Sequence, residues 1–187
     1  MKNFVFLVSF LVCATSYSQT KIGGVLMPNV VKIGENDYLK INGGGIREKL
    51  FMDLYIGVLY LREKSSSAST IINGDVPMAI KLRIISAMVS KENMEEAIRA
   101  GFDKSTGNNV SAIKDKIDLL IDTGFKEEIA IGDIFDLIYI PGKGVAFLKN
   151  DRLILTITGL DFKKALFGIW LCDQPGDENL KNKMLGL

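Results

Sequence analysis

Histidine is absent from the 187 residues. Its absence removes Ser-His-Asp and Cys-His catalysis, histidine metal centres and histidine general bases together. Any chemistry must come from carboxylates, lysine, arginine, tyrosine or hydroxyl groups. Cysteine is scarce as well, with Cys13 and Cys172 alone. Cys13 falls in an N-terminal apolar run, which leaves Cys172 without an intramolecular disulfide partner; its place in FGIWLC reads as packing. An excess of either charge is missing too, with 23 basic residues against 22 acidic. No basic stripe or acidic tail breaks that balance, so nothing in the charge points to nucleic acid or an anionic membrane surface.

What is present begins with a leader pattern. Lys2 precedes the run FVFLVSFLV (4–12), which has the length of a signal h-region and is too short to span a bilayer. Small and polar residues follow, and Ser16 and Ser18 suit the two small-residue pockets of a signal peptidase. Cleavage is expected between Ser18 and Gln19, giving a signal peptide at 1–18 and one domain at 19–187. Val12 stands where a lipoprotein signal needs a small residue before Cys13. Lys2 is the only charge in the leader, so the remainder balances at 22 basic against 22 acidic residues. The protein is therefore expected in the periplasm or secreted from a Gram-negative-type cell. No stable membrane insertion is expected once the leader is gone.

Along the domain, Val25–Met27 reads as a short strand and Gly34–Asp37 as a turn. Gly43–Gly45 reads as a tight β-turn, since no lysine-serine pair or helix start follows it to make a phosphate cradle. The stretch LFMDLYIGVLYL (50–61) is aromatic and β-branched without a helical period, which describes one long buried strand. Lys64–Ser69 reads as a polar turn, and MAIKLRII (78–85) as a strand with Lys81 and Arg83 on a solvated face. Ser90 reads as an N-cap, followed by an apolar stripe at Met94, Ala97, Ile98, Gly101 and Phe102. A second helix, capped by Asn109 or Ser111, carries Ile113, Ile117, Leu120 and Ile121 and ends at Gly124. Ile134–Ile140, Val145–Leu148 and Leu153–Thr158 read as a meander with turns at Gly142–Gly144 and Asn150–Asp151. Leu160–Leu171 and Asn179–Leu185 close the chain as helices. The order gives an α+β fold with an antiparallel sheet covered on one face. Asp173, Asp177 and Glu178 fit no calcium loop, and Asp177 reads as a helix cap, so no metal and no cofactor are expected.

Three segments together resemble the chalcone isomerase-like family, in its bacterial exported branch: NGGGIREKLFMDLYIGVLYL (42–61), SKENMEEAIRAGF (90–102) and FKKALFGIWLCDQPGDENLKNKMLG (162–186). The resemblance spans roughly residues 22–187. It implies an open-faced β-sandwich, a large curved antiparallel sheet with helices over one face and a ligand cleft between them. Plant chalcone isomerases close a flavanone ring with an arginine, two hydroxyl residues, a tyrosine and an asparagine. Only the arginine carries over, onto Arg47. The strand hydroxyl position falls near Leu54 and the late-helix one near Ile169, and neither side chain donates a hydrogen bond to a developing oxyanion. Residues 94–101 offer no tyrosine or asparagine at matching spacing.

An arginine at the end of an apolar cleft suits a carboxylate with a tail to bury. The resemblance implies the same, because fatty-acid-binding members keep an arginine and usually a tyrosine. The candidate tyrosines are Tyr55, Tyr60 and Tyr139, in that order. The expected function is thus non-catalytic binding of a small hydrophobic or carboxylate ligand, with Arg47, Leu54, Tyr55, Tyr60 and Ile169 at the site. Two other readings stay open: an isomerase or lyase of chalcone isomerase type with Arg47 as electrophile, and an envelope protein that binds a partner. Oligomeric state is not legible. Arg47 also has a structural alternative, pairing with Glu48 or Asp53.

Overall fold

The structure, a computed structural model, describes residues 19–187. The expected signal peptide at 1–18 lies outside the described residues. Seven antiparallel strands follow one another in sheet order: β3 (Val30–Lys32), β4 (Tyr38–Lys49), β5 (Met52–Leu61), β6 (Met78–Ile84), β7 (Ile134–Ile140), β8 (Gly144–Lys149) and β9 (Arg152–Ile157). The hairpin β1 (Gln19–Ile22) and β2 (Val25–Pro28) pairs only with itself. The helices are α1 (Ala68–Asn73), α2 (Lys91–Ser105), α3 (Lys114–Leu119), α4 (Leu160–Leu171) and α5 (Glu178–Met184).

Strand β5 shows how one sheet serves two cores. Side chains alternate faces along a strand. Leu59 and Leu61 join the larger core beneath the helices, with Phe102, Phe162 and Leu166. Ile56, Val58 and Tyr60 face the other way, into a smaller core with Met27, Val31 and Leu39. The β1–β2 hairpin lies over this second face, where Gly23 approaches Ile46 and Ile22 approaches Gly44. The face expected to be open is therefore partly covered. Lys81, expected on a solvated face, is buried there and forms an ion pair with its cross-strand partner Asp136 at 2.5 Å.

The glycine cluster is not a turn. Gly43, Gly44 and Gly45 sit in the middle of β4, opposite Leu59, Val58 and Gly57. They are glycines because neighbouring atoms occupy the space where a Cβ would stand. A Cβ on Gly43 would lie 2.1 Å from the Lys183 carbonyl oxygen, and one on Gly45 would lie 2.7 Å from the Lys183 side chain. Helix α5 thus rests directly on the strand. Asn42 fastens it by donating from Nδ2 to the Met184 carbonyl at 2.8 Å.

The turn lies instead at Leu50–Phe51. The stretch from 50 to 61 is not one strand, because β4 and β5 are joined by a two-residue loop between Lys49 and Met52. Both loop residues take positive φ, 51° and 65°. The β8–β9 loop repeats this geometry with Asn150 and Asp151, at 51° and 64°. Asparagine and aspartate tolerate the left-handed region; leucine and phenylalanine do so poorly. Two further corrections are local. Part of the expected polar turn at 64–69 opens α1, capped by the Ser67 side chain. The second helix is not regular: a 3-10 turn at Ser111–Ile113, α3 and a π turn at Leu120–Gly124 follow one another without a side-chain cap.

Candidate functional site

A cleft of about 460 Å³ opens between the outer ends of β4 and β5, helix α2, the end of α4 and the start of α5. Each wall has a local cause. Ser90 caps α2 by accepting from the Asn93 amide at 3.2 Å, and the stripe at Met94, Ile98 and Gly101 turns inward. Gly101 lets α2 approach α4 closely, since a Cβ there would lie 2.7 Å from Ile169. Gly168 does the same for Ser105, also at 2.7 Å. The cleft walls are mostly apolar, with Leu54, Val89, Ile98, Ile169 and Leu180 among them.

The polar groups gather at one end. Arg47 follows Gly43 and Gly45 on the β4 face turned to α5, and its Nη1 reaches Asp177 Oδ2 at 3.2 Å. The same Nη1 donates to the Glu48 carbonyl at 2.8 Å. Asp177 is the N-cap of α5, accepting from the Leu180 amide at 3.0 Å through Oδ1 and from the Glu48 amide at 3.1 Å through Oδ2. Burial raises its pKa, but the amides of Leu180 and Glu48 and the Arg47 guanidinium outweigh this and hold it below the ordinary value of 3.8. A carboxyl whose folded pKa is depressed contributes stability above its unfolded pKa and loses it as pH falls through the folded one. Denaturant midpoints of the native protein are therefore expected to fall more steeply below pH 4 than those of Asp177→Asn. At neutral pH, Asp177→Ala is expected to cost about 1–2 kcal/mol. Equal acid slopes in the native protein and Asp177→Asn would remove Asp177 from this account.

Tyr55, the cross-strand partner of Arg47, completes the polar end. Its hydroxyl accepts from Trp170 Nε1 at 3.0 Å. With that lone pair used, the phenolic hydrogen remains available to donate. Burial, above all, raises the Tyr55 pKa; the Trp170 bond and the Arg47 charge offset part of this. The group is thus a neutral donor at physiological pH.

Of the residues expected from sequence, Arg47, Leu54, Tyr55 and Ile169 all line the cleft. Tyr60 does not. It stands five residues from Tyr55, so strand alternation turns it to the opposite face, where it is fully buried and donates to the Pro28 carbonyl at 2.9 Å. Tyr139 also lies elsewhere and donates to Asp75 at 2.5 Å. Arg47 pairs with neither expected local partner's carboxylate but with Asp177, 130 positions away. Among the lining residues that sequence reasoning missed are Asp177 as the arginine's partner, Trp170 as the donor to Tyr55, and Asn93. The Trp170 indole reads as core from its amphipathic helix, and only the fold reveals the tyrosine beside it. Among the described residues no group of three or more His, Cys, Asp or Glu could hold a metal ion. No described helix is long and apolar enough to cross a membrane.

A family model described as chalcone isomerase-like matches residues 19–186. No curated protein sequence matches the chain. Among solved structures, a crystal structure of an Arabidopsis thaliana fatty-acid binding protein superposes with a TM-score of 0.65 at 16% identity, covering 87% of this chain and 92% of that one. At that identity the likeness establishes the fold: a curled antiparallel sheet with helices.

Proposed function

The chain belongs to the chalcone isomerase-like family, and from that membership we propose that it is an exported, non-catalytic carrier of a small amphipathic acid of the fatty-acid type. The observation that carries the reading is the convergence of Arg47 and Tyr55 at one end of an otherwise apolar cleft. Arg47 Nη1 is engaged by Asp177 and Glu48, and the guanidinium lines the cleft beside Tyr55, within reach of a ligand carboxylate. Tyr55 offers a neutral hydroxyl to the second oxygen. A cleft of about 460 Å³ lies within the range of small-ligand sites, about 300–1,000 Å³. The structural neighbour named as a fatty-acid binding protein supports the same ligand class. Catalysis has less to work with, because Leu54 and Ile169, where plant isomerases carry hydroxyls, present hydrocarbon to the cleft. Export follows from the leader pattern and makes Gln19 the expected first residue of the mature protein.

The test is native mass spectrometry of protein purified from its own envelope, then titration of Tyr55→Phe and Arg47→Ala. A bound carboxylate and a mass starting at Gln19 are expected. Tyr55→Phe is expected to weaken binding of the acid roughly tenfold, the value of a hydrogen bond to a charged group, and to leave its methyl ester within about twofold. Enone turnover that disappears in Arg47→Ala would replace the carrier reading with an isomerase. Equal losses for acid and ester would show that Tyr55 shapes the cleft without contacting the carboxylate.

A further inference from the structure

The β4–β5 loop breaks a rule that the other described residues keep. Leu50 and Phe51 occupy a two-residue turn with both φ positive, where asparagine, aspartate and glycine are favoured. The equivalent β8–β9 turn uses Asn150–Asp151. Strain of this kind costs free energy and clusters at functional sites, and here packing does not repay it: Leu50 is 76% exposed and Phe51 is 105% exposed, a side chain standing wholly in solvent. Met52 and Met88 are exposed beside them, and Leu50, Met52 and Met88 also line the cleft. Phe51, the most exposed of the large hydrophobic side chains among the described residues, therefore stands next to the mouth of the apolar cleft.

Two lysines stand at that mouth in addition to the Arg47–Asp177 pair inside it. Lys49 and Lys104 both line the cleft and are exposed, and among the described residues neither is in an ion pair. Glu48 and Asp53 come one step further from the tip. Lys49 thus lies closer to the tip than either carboxylate, and Lys104 adds a second cation on the α2 wall of the cleft.

We propose that this hairpin tip docks the protein on an anionic phospholipid surface, with Leu50 and Phe51 entering the headgroup region, Met52 and Met88 following, and Lys49 and Lys104 meeting lipid phosphates. Aromatic and aliphatic tips flanked by lysine suit the membrane interface, where apolar groups gain burial and cations gain anionic partners. The chain's balanced charge gives no long-range attraction, so depth comes from the apolar tip and preference from the two lysines. Docking sets the cleft mouth against lipid, so an acyl ligand passes between membrane and cleft without crossing water. That last use rests on the proposed ligand class; docking itself does not.

The test is flotation of ligand-free protein with vesicles of phosphatidylcholine alone and of phosphatidylcholine with phosphatidylglycerol. The native protein is expected to float with the anionic vesicles. The double variant Leu50→Asn, Phe51→Gly supplies the residues that the turn favours, so its melting temperature is expected to hold or rise while vesicle partitioning falls at least about tenfold. Lys49→Glu with Lys104→Glu is expected to abolish the preference for anionic vesicles. A native protein that stays with the soluble fraction, or a double variant that floats as well as native, overturns the proposal. So does a native protein that self-associates in sedimentation without floating, an association the double variant loses, because the tip then serves a second copy of the chain. Acid binding measured separately in solution shows which of the two readings has failed.

Discussion

Replacing Lys163 by methionine is expected to destabilise the protein by about 3 kcal/mol. Lys163 lies on α4 with no exposed surface, and its ammonium donates to the carbonyls of Ile71 at 2.7 Å, Ile72 at 2.9 Å and Gly74 at 2.7 Å. Those carbonyls belong to the last turn of α1 and the residue beyond it, where helical carbonyls lack partners. The stem runs past Tyr139 and Phe167, whose ring centroids stand 5.5 and 5.6 Å from Nζ. Two effects oppose each other on substitution. Burial, then repulsion from Lys164, lowers the lysine pKa to about 8, with Asp75 partly offsetting them, so removing the charge relieves about 3 kcal/mol at ~1.4 kcal/mol per pH unit. Three buried carbonyls lose their donor at about 1–3 kcal/mol each, which is the larger quantity. The sign with pH follows from the lowered pKa. Between about 8 and 10.5 the unfolded chain binds more protons at this site than the folded one, so this contribution to stability rises with pH. Denaturation from pH 7.5 to 9.5 is expected to show that rise in the native protein and not in Lys163→Met. Above about pH 10 Tyr139 contributes in the opposite sense, since burial and its bond to Asp75 push its folded pKa up to about 12. A Lys163→Met variant as stable as native, with the same pH slope, would show the carbonyls satisfied by other means.

The second large effect is expected at Gly43. A methyl group there would stand 2.1 Å from the Lys183 carbonyl oxygen and 3.0 Å from that of Met184. Both are backbone atoms, so no rotamer change relieves the overlap, and α5 must lift from the sheet. The loss is expected at about 3–4 kcal/mol, at the upper end for overpacking. Because Asp177 and Leu180 both belong to the cleft, lifting α5 also removes the carboxylate partner of Arg47. Gly43→Ala is therefore expected to be cleaved by protease near residue 177 and to bind acid weakly. Gly57→Ala is the control. Its nearest contacts are the Leu180 side chain at 3.4 and 3.5 Å, ordinary distances that imply a change under about 1 kcal/mol. Equal stability of the two variants would show that α5 is not seated on Gly43.

What the sequence revealed and what it concealed follow from the range of the interactions involved. Caps are local: Ser90 before α2 and Asp177 before α5 accept hydrogen bonds from amides three residues on, and both are legible from a polar residue before an apolar stripe. The meander from Ile134 onward is legible for the same reason, down to its Asn150–Asp151 turn. The Leu50–Phe51 turn was hidden because neither residue carries turn chemistry, so the apolar run appeared continuous. The glycines of β4 were misread because their requirement comes from α5, about 140 residues downstream. Tyr60 fell on the wrong side by parity, which is fixed only once the position of Tyr55 against Arg47 is known. The irregular helix after residue 110 carries the expected apolar stripe, yet its changes of pitch have no residue-level signature that we can identify.

The close crossing of α2 and α4 has a mechanical consequence. At Gly101 and Gly168 the helices meet with almost nothing between them, which makes that point a fulcrum for the Ser90 end of α2, whose Met94 and Ile98 pack on the core. Eleven residues separate Ser90 from Gly101, an arm of about 16 Å at 1.5 Å per residue. A tilt of about 10° at the fulcrum swings the far end by roughly 3 Å, comparable to the width of a methylene chain. A tilt of this one rod would therefore widen or narrow the cleft, while the Arg47–Asp177 pair ties α5 to the sheet at the anchoring end.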